Sequence, residues 1–395
     1  MNKINKNVEI LKFSGIAKVI EKANALGNDV IRLEVGDVDL DCPKEIREGI
    51  DKAFEDKKTH YPPLRGDLEL IKIIVGEEKN KMNNNISESN IIITPGGSMG
   101  MFYIFSTILN NNDEVILLEP LWPHLKEMIK YVGAIPISIG LREEDNFHIN
   151  FDYVQSKINN NTKAILINTP NNPTGVIYSD EELKILADIA RKHDLYIISD
   201  EEYCDYYYND NIFKSPMNFY SKTLVSRSYS KKYSIAGLRV GYVIGDEEIM
   251  KEMEKIALFT TMYSSSIVQY AIADKKNEME YFSNEARKTM NERMQLLYEG
   301  LNKIKGLSCK KTEGGLYIWL CCKDIEEDDK KFADRLLYKA RVATVPGSCF
   351  GETGKGYLRI SLGAKKEEIT EAIKRMKEEI ENENWHIFRD KCWKY

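Results

Sequence analysis

Short runs of β-branched and aliphatic residues alternate with stretches of helical period through the first two-thirds of this chain. That alternation limits the fold more than any other feature. The runs are Ile91–Thr94, Val115–Leu118, Ile135–Ile139, Ala164–Asn168, Tyr196–Ser199, Leu224–Ser226 and Val240–Ile244. Several are apolar at every position, which suits strands covered on both faces by helices. The intervening helical patterns include Ser98–Leu109, Asp180–His193 and Glu247–Leu258. The expected fold is α/β, with a large domain over residues 45–285 built on a mostly parallel sheet sandwiched by helices.

The last third reads differently. A long polar helix over Tyr281–Ile304 leads to an apolar run at Leu316–Cys321 and a helix near Lys330–Ala340. Short strands at Ala343–Val345 and Leu358–Ser361 follow, then a helix from Lys366. Few strands with helices to one side predict a smaller α+β unit over residues 286–395. At 395 residues the chain is long enough for two such units.

Composition narrows the partners. Sixty-two acidic residues against 56 basic ones leave a formal charge of −6, which argues against bulk electrostatic binding of nucleic acid or of an anionic membrane. The longest uncharged stretch, Ile256–Ala273, carries Thr260, Thr261, Ser264, Ser265, Ser266 and Gln269 and is too polar to span a bilayer. The opening residues MNKINKNVEILKF have no apolar core of a leader peptide. Seven scattered cysteines, of which only Cys321 and Cys322 are close together, have neither zinc nor thioredoxin spacing. They fit the reduced thiols of a cytoplasmic protein.

In an open parallel sheet, ligands bind beyond the carboxyl ends of the strands. The residues that follow each apolar run are therefore the candidates for chemistry. After Ile91–Thr94 comes Pro95-Gly96-Gly97-Ser98-Met99-Gly100, a glycine turn opening a helix. Its backbone N–H groups and positive dipole end suit a phosphate. It matches neither the dinucleotide fingerprint nor the P-loop, and Gly351–Gly356 fails the latter too. After Ala164–Asn168 comes Thr169-Pro170-Asn171-Asn172-Pro173-Thr174-Gly175, which on composition alone is a turn. Asp200, Glu201, Glu202 and Tyr203 follow the next run, where an acid is ordinarily a helix cap or solvated. Then come Ser228, Ser230, Lys231 and Lys232, with Arg239 eight residues after Lys231.

In this order, the phosphate turn, the Asn-Pro turn, the acid, Ser-x-Ser-Lys and the trailing arginine resemble the fold-type-I pyridoxal-phosphate enzymes. More narrowly, they resemble the class I/II aminotransferases. Gly36-Asp37-Val38-Asp39-Leu40-Asp41-Cys42-Pro43 is similar to that family's early G-x-P-D-x-x-x-P, with Val38 where proline is usual. Tyr61 and Gly66, Gly314–Tyr317, Pro346-Gly347-Ser348 and Arg359 in YLRISLG follow in family order, so the resemblance spans nearly the whole chain.

The resemblance implies pyridoxal 5'-phosphate as cofactor and a homodimer with its active sites at the subunit interface. It also implies that residues 1–44 join the small domain. Lys231 would form the Schiff base and act as general acid–base, while Lys232 would lie at the surface. Gly97, Ser98, Ser228, Ser230 and Arg239 would hold the phosphate, with Tyr61 reaching it from the neighbouring subunit. Asp200 would pair with the pyridine nitrogen, Asn172 and Tyr203 with the phenolic oxygen, and Trp122 would stack on the ring. Arg359 would take the substrate α-carboxylate, with Asn172 and Gly36 beside it.

The implied reaction is transfer of an amino group from an α-amino acid to a 2-oxo acid by a ping-pong cycle. A lyase or amino-acid cyclase on the same scaffold is the alternative. Met262–Ile267 carries no basic residue, which argues against one known way of holding a distal carboxylate. Trp122, Tyr263 and Ile16 are candidates for the side-chain pocket. Glu201, His124 and the cysteines receive no role, and His60 is read as structural.

Overall fold

A computed structural model of the chain describes residues 4–81, 86–209 and 211–381. Residues 382–395 of the expected C-terminal unit, Cys392 among them, lie outside the described residues. The central sheet comprises β1 (Ile91–Thr94), β2 (Glu114–Glu119), β3 (Ile135–Gly140), β4 (Thr162–Asn168), β5 (Tyr196–Asp200), β6 (Thr223–Ser228) and β7 (Gly241–Ile244). Their order across the sheet is β1-β7-β6-β5-β4-β2-β3. All neighbours are parallel except β7, which runs against both β1 and β6.

The apolar runs explain why this sheet is covered on both sides. Along β4, Ile165 and Ile167 pack with Leu183, Leu186 and Ala187 of the helix Asp180–Lys192. Ala164 and Leu166 point the other way, into a core with Ile104 and Phe105 of the helix Gly97–Ile108. Successive side chains of a strand face opposite sides. A run with no polar position therefore needs a helix layer on each side, and each fully buried aliphatic side chain contributes about 1.5–3 kcal/mol. The helix Asp180–Lys192 starts where Ser179 and Glu182 form reciprocal caps.

The C-terminal sheet is antiparallel. It contains β8 (Ser308–Cys309), β9 (Tyr317–Cys321), β10 (Val345–Pro346) and β11 (Tyr357–Ser361), in the order β10-β11-β9-β8. The helices Glu280–Leu301 and Lys366–Glu381 supply Met290, Met294, Leu297, Ile369 and Met376 to its core. Near the N-terminus, Ile31–Arg32 pairs in parallel with Val342–Ala343.

Three local expectations need correction. The single strand expected at Ala343–Val345 is two separate pieces, Val342–Ala343 and Val345–Pro346, which serve different sheets on either side of buried Thr344. The helix expected near Lys330–Ala340 is α-helical over Asp329–Arg335 and widens into a π-turn over Leu336–Ala340. The run Val240–Ile244 enters the sheet only at Gly241, because Arg239 adopts a left-handed backbone (φ 55°).

One charge cluster is buried in this fold. Arg227 of β6 is 2% exposed. Its Nε donates to Glu201 Oε2 at 2.8 Å, and its Nη1 donates to Glu78. Both glutamates are fully buried, with Ser215 Oγ donating to Glu201 at 2.7 Å and the Tyr242 hydroxyl donating to Glu78 at 3.3 Å. Removing the arginine alone leaves two buried carboxyl groups without their cation. Arg227→Met is therefore expected to lower the unfolding free energy by roughly 3–5 kcal/mol. Converting all three (Glu78→Leu, Arg227→Met, Glu201→Leu) should recover most of that loss. Urea denaturation of the parent and both variants checks this, and a single variant as stable as the parent would refute it.

Candidate active site

The parallel strands end on one edge of the sheet, and the side chains singled out above are delivered there. Gly97 and Ser98 follow β1, Trp122 follows β2, Asn172 follows β4, Asp200 ends β5, and Ser228–Lys231 close β6. Arg239 reaches the same edge because β7 is antiparallel. Its first residue, Gly241, pairs with Thr94 and with Ser228, the last residues of β1 and β6. From the C-terminal sheet, Tyr317 starts β9 and Arg359 sits on β11. Apart from Ser228 and Tyr229, these groups line one cavity of about 240 Å³.

Lys231 lies in a single helical turn, Tyr229–Lys232, capped by Ser228, whose Oγ accepts from Ser230 N at 2.9 Å. The Ser228 hydroxyl also donates to Ser230 Oγ at 2.7 Å. The Tyr206 hydroxyl pins the Lys231 carbonyl at 2.8 Å, and Lys231 Nζ stands 3.6 Å from Asp37 Oδ1. Lys232, expected at the surface, is instead only 10% exposed and lies near Glu77 and Asp205. The short helix turns one lysine into the cavity and the other into this acidic niche.

Asp200 is buried, and no cation pairs with it among the described residues. Burial pushes its carboxyl up to about 7, helped by the nearby charge of Glu201, while the Glu202 N–H pulls the other way. Asn168 fixes the strand ends: its Nδ2 donates to the Asp200 carbonyl at 3.0 Å and its Oδ1 accepts from Asn172 N at 2.7 Å. Asn172 Nδ2 donates to the Tyr203 hydroxyl at 3.4 Å, and Tyr203 and Tyr317 share a hydrogen bond at 2.8 Å. Burial, with Tyr317 alongside, holds Tyr203 well above the ordinary tyrosine range.

Arg359 is 2% exposed. Its Nη1 donates to Asn172 Oδ1 at 3.0 Å and its Nη2 to the Glu34 carbonyl at 2.7 Å, and the guanidinium lies 4.2 Å from the centre of the Tyr317 ring. Its Nε is buried without a hydrogen-bond partner among the described residues. Tyr317 can lie there only because position 36 is glycine, since a Cβ on Gly36 would run into its hydroxyl. Arg239, which also lines the cavity, donates to the Ala236 and Pro95 carbonyls at 2.8 and 3.4 Å.

Of the residues expected from sequence, Gly36, Gly97, Ser98, Trp122, Asn172, Asp200, Tyr203, Ser230, Lys231, Arg239 and Arg359 line this one cavity. Ser228 supports it through its bond to Ser230. Tyr61 stands apart, 79% exposed and stacked on Tyr263 at 5.1 Å. Ile16 lines the cavity, whereas Tyr263 does not. Six lining residues were missed: Met101, Asn168, Glu202, Ala236, Tyr317 and His124, which stacks on Trp122 at 4.4 Å. The acidic run Asp200-Glu201-Glu202 was the available signal for Glu202.

These residues fit pyridoxal phosphate on two counts. A buried carboxyl without a cation suits a protonated ring nitrogen. The first turn of the helix Gly97–Ile108, whose N–H groups have no intrahelical acceptor, faces Arg239 and the two serine hydroxyls and suits a phosphate. A seven-stranded α/β sheet presenting a lysine, such an aspartate and such a cradle from its carboxyl edge defines a fold-type-I pyridoxal-phosphate enzyme.

Comparison with known proteins narrows the class. The family model for aminotransferase class I and II matches residues 28–376. The chain therefore belongs to that family, whose members use pyridoxal 5'-phosphate to move an amino group from an amino acid to an oxo acid. It is 35% identical to an aspartate aminotransferase of Pyrococcus horikoshii, over 96% of this chain and 98% of the relative. It is also 35% identical to a probable aspartate/prephenate aminotransferase of Aquifex aeolicus, over 95% and 98%. The solved structure of Thermus thermophilus aspartate aminotransferase with maleate superposes with a TM-score of 0.92. That match is 31% identical and covers 96% of this chain and 100% of the other.

Asp200 makes a pH prediction for the cofactor-free chain. The folded state keeps its proton up to about pH 7, whereas the unfolded chain releases it near 4. The folded state thus binds more protons between those values, and this contribution to stability falls as pH rises through them. Asp200→Asn removes the contribution. Urea denaturation should show the variant gaining on the parent by roughly 1–4 kcal/mol between about pH 4.5 and 8. A difference that does not change with pH would contradict the assignment.

Proposed function

We propose that this cavity carries out transamination with its residues in the following roles. Lys231 holds the cofactor covalently and, once released, moves a proton at the substrate Cα as general acid–base. The Gly97 and Ser98 backbone, Ser228, Ser230 and Arg239 hold the phosphate, Asp200 keeps the ring nitrogen protonated, and Asn172 and Tyr203 bond the phenolic oxygen. Trp122 covers one face of the ring. When bound, pyridoxal phosphate supplies the electron sink that stabilises the pair left at Cα. The observation that carries the reading is the convergence of Lys231, Asp200 and Arg359 on one cavity.

Arg359 is the receptor for the α-carboxylate of both the amino acid and the 2-oxo acid, with Asn172 and Gly36 beside it. Its planar fork can grip two carboxylate oxygens at once, which a lysine ammonium cannot do. The side-chain end of the substrate would meet Ile16, Trp122 and His124. The names of the relatives make aspartate the first donor to test, and the aromatic lining makes an aromatic amino acid the second.

The protein is proposed to work as a homodimer. Tyr61, Leu68, Phe259 and Met262 are exposed large apolar groups, and a second subunit covering them would bring Tyr61 to the partner's phosphate. A division into a large domain (45–285) and a small one (1–44 with 286–395) belongs to the same reading, supported by the pairing of Ile31–Arg32 with Val342–Ala343. The described cysteines are free thiols, which fits the cytoplasm.

Two measurements test these roles. Mixing the enzyme with a single amino acid and no oxo acid should convert bound pyridoxal phosphate to pyridoxamine phosphate. Release of ammonia with the cofactor unchanged would instead indicate elimination. Arg359→Lys should raise KM for both substrates by about 10–100-fold while leaving cofactor affinity within about twofold of the parent. An unchanged KM would remove Arg359 from the carboxylate role.

A further inference from the structure

One carboxyl in the cavity has no work in the reaction as assigned. Glu202 lines the cavity together with Lys231, Asp200 and Arg239. Its Oε2 lies against the first residue of the helix Gly97–Ile108, so close that a Cβ on Gly97 would come within 2.5 Å of it. The nearby Ser228 hydroxyl and the charges of Lys231 and Arg239 favour its charged form. Glu201, next in the chain, points away and bonds Arg227. An anionic oxygen of the protein itself thus rests among the donors assigned above to the phosphate.

We propose that Glu202 and the cofactor's phosphate compete for this cradle, so that capturing the phosphate requires the Glu202 charge to be neutralised by a proton from solvent. The inference rests on the cradle being the phosphate site. Its physical basis is like-charge repulsion in a partly enclosed space. A dianion entering beside a carboxylate pays a Coulomb penalty that one proton removes. Burial and the charge of Asp200 already push Glu202 upward, to about 7, against the opposing pull of Lys231, Arg239 and the Ser228 hydroxyl. The Tyr203 hydroxyl also faces Glu202, and Asp37 lies against Lys231. Above about pH 7, binding of a dianion is therefore accompanied by uptake of up to one proton, and affinity falls as pH rises. Below that, Glu202 is already neutral and affinity levels off.

Sulfate is the cleanest probe, because it stays a dianion across this range and needs no covalent chemistry. Calorimetric titration of the full-length chain freed of cofactor should show sulfate binding weakening by about tenfold between about pH 7 and 8.5. At about pH 8, heats measured in two buffers of different ionisation enthalpy should report net proton uptake. In Glu202→Gln, sulfate should bind about tenfold more tightly than in the parent at the higher pH, with most of the pH dependence gone. Pyridoxal 5'-phosphate should tighten in the same variant, while pyridoxal, which lacks the phosphate, should be unaffected.

Absence of proton uptake by the parent chain, which requires no variant, would overturn the proposal. So would equal sulfate affinity and equal pH slope in parent and Glu202→Gln, a result that leaves the cradle itself intact. Failure of both proteins to bind sulfate or pyridoxal phosphate would remove the cradle reading and this inference with it.

Discussion

The site depends on a charge that the fold has to bury. Arg227 leaves the penultimate position of β6 and passes between Glu201, which follows β5, and Glu78, which belongs to a helix outside the sheet. A buried ion cluster of this kind is an uncertain source of stability, since desolvation offsets much of the attraction. Its effect here is positional. It ties the end of β5 to the end of β6, and those two ends carry Asp200 and the Ser228–Lys231 turn. Two carboxyl groups share one guanidinium, so the cluster does not fully neutralise itself. Burial raises the Glu201 carboxyl despite Arg227, and the charge of Glu201 in turn raises Asp200. The same contact that aligns the strand ends therefore helps to set the protonation of the acid in the cavity.

The sheet does the rest by direction alone. Parallel strands place every carboxyl end on one edge, so residues as distant in sequence as Ser98 and Lys231 meet without any long-range signal in the chain. The one antiparallel strand is no exception in practice. Because β7 starts at that edge, the residue just before it, Arg239, is delivered to the same place, and its left-handed backbone makes the corner. The C-terminal sheet closes the cavity from the other side with Tyr317 and Arg359, which lie on neighbouring strands paired Tyr317 to Ser361 and Trp319 to Arg359.

How much of this was legible in the sequence follows from which interactions are local. Strand cores were legible because an all-apolar run reports burial on both faces. The core of each of the seven strands lay where its run indicated, and the ends moved by a residue or two where capping and backbone conformation decide them. The cavity residues were legible through the family's ordered motifs. Burial that depends on tertiary contacts was not. Lys232 looked like a solvated partner of Lys231, yet Glu77 and Asp205, one of them far away in sequence, form the niche that takes it in. Arg227 and Glu78 are 149 residues apart, so nothing local marks either as buried. Glu202 sat in plain view between two assigned residues, but an acidic run reads as solvated until its neighbours are known. Thr344 divides what looked like one strand, because the two flanking pairs belong to different sheets.

The two arginines of the cavity, Arg359 buried and Arg239 exposed, differ from the buried Arg227 and Arg293 in a way that bears on function. Arg227 and Arg293 are met by carboxylates. Arg359 is held by the Asn172 amide oxygen and the Glu34 carbonyl, and Arg239 by the Ala236 and Pro95 carbonyls. All four acceptors are neutral. Neutral acceptors fix the direction of a guanidinium without cancelling its charge, and Arg359 in addition keeps an Nε without a partner among the described residues. A guanidinium oriented in advance loses less freedom when an anion arrives, and for the buried Arg359 the attraction for that anion is stronger than at the surface. Two such groups line one cavity together with Lys231 and Asp200. The arrangement suits a ligand pair with one anionic group at each end and the reacting atoms in the middle, as with a phosphorylated cofactor joined to a carboxylated substrate. Replacing the Asn172 amide with a carboxylate would keep Arg359 in place while cancelling the charge that the ligand has to meet.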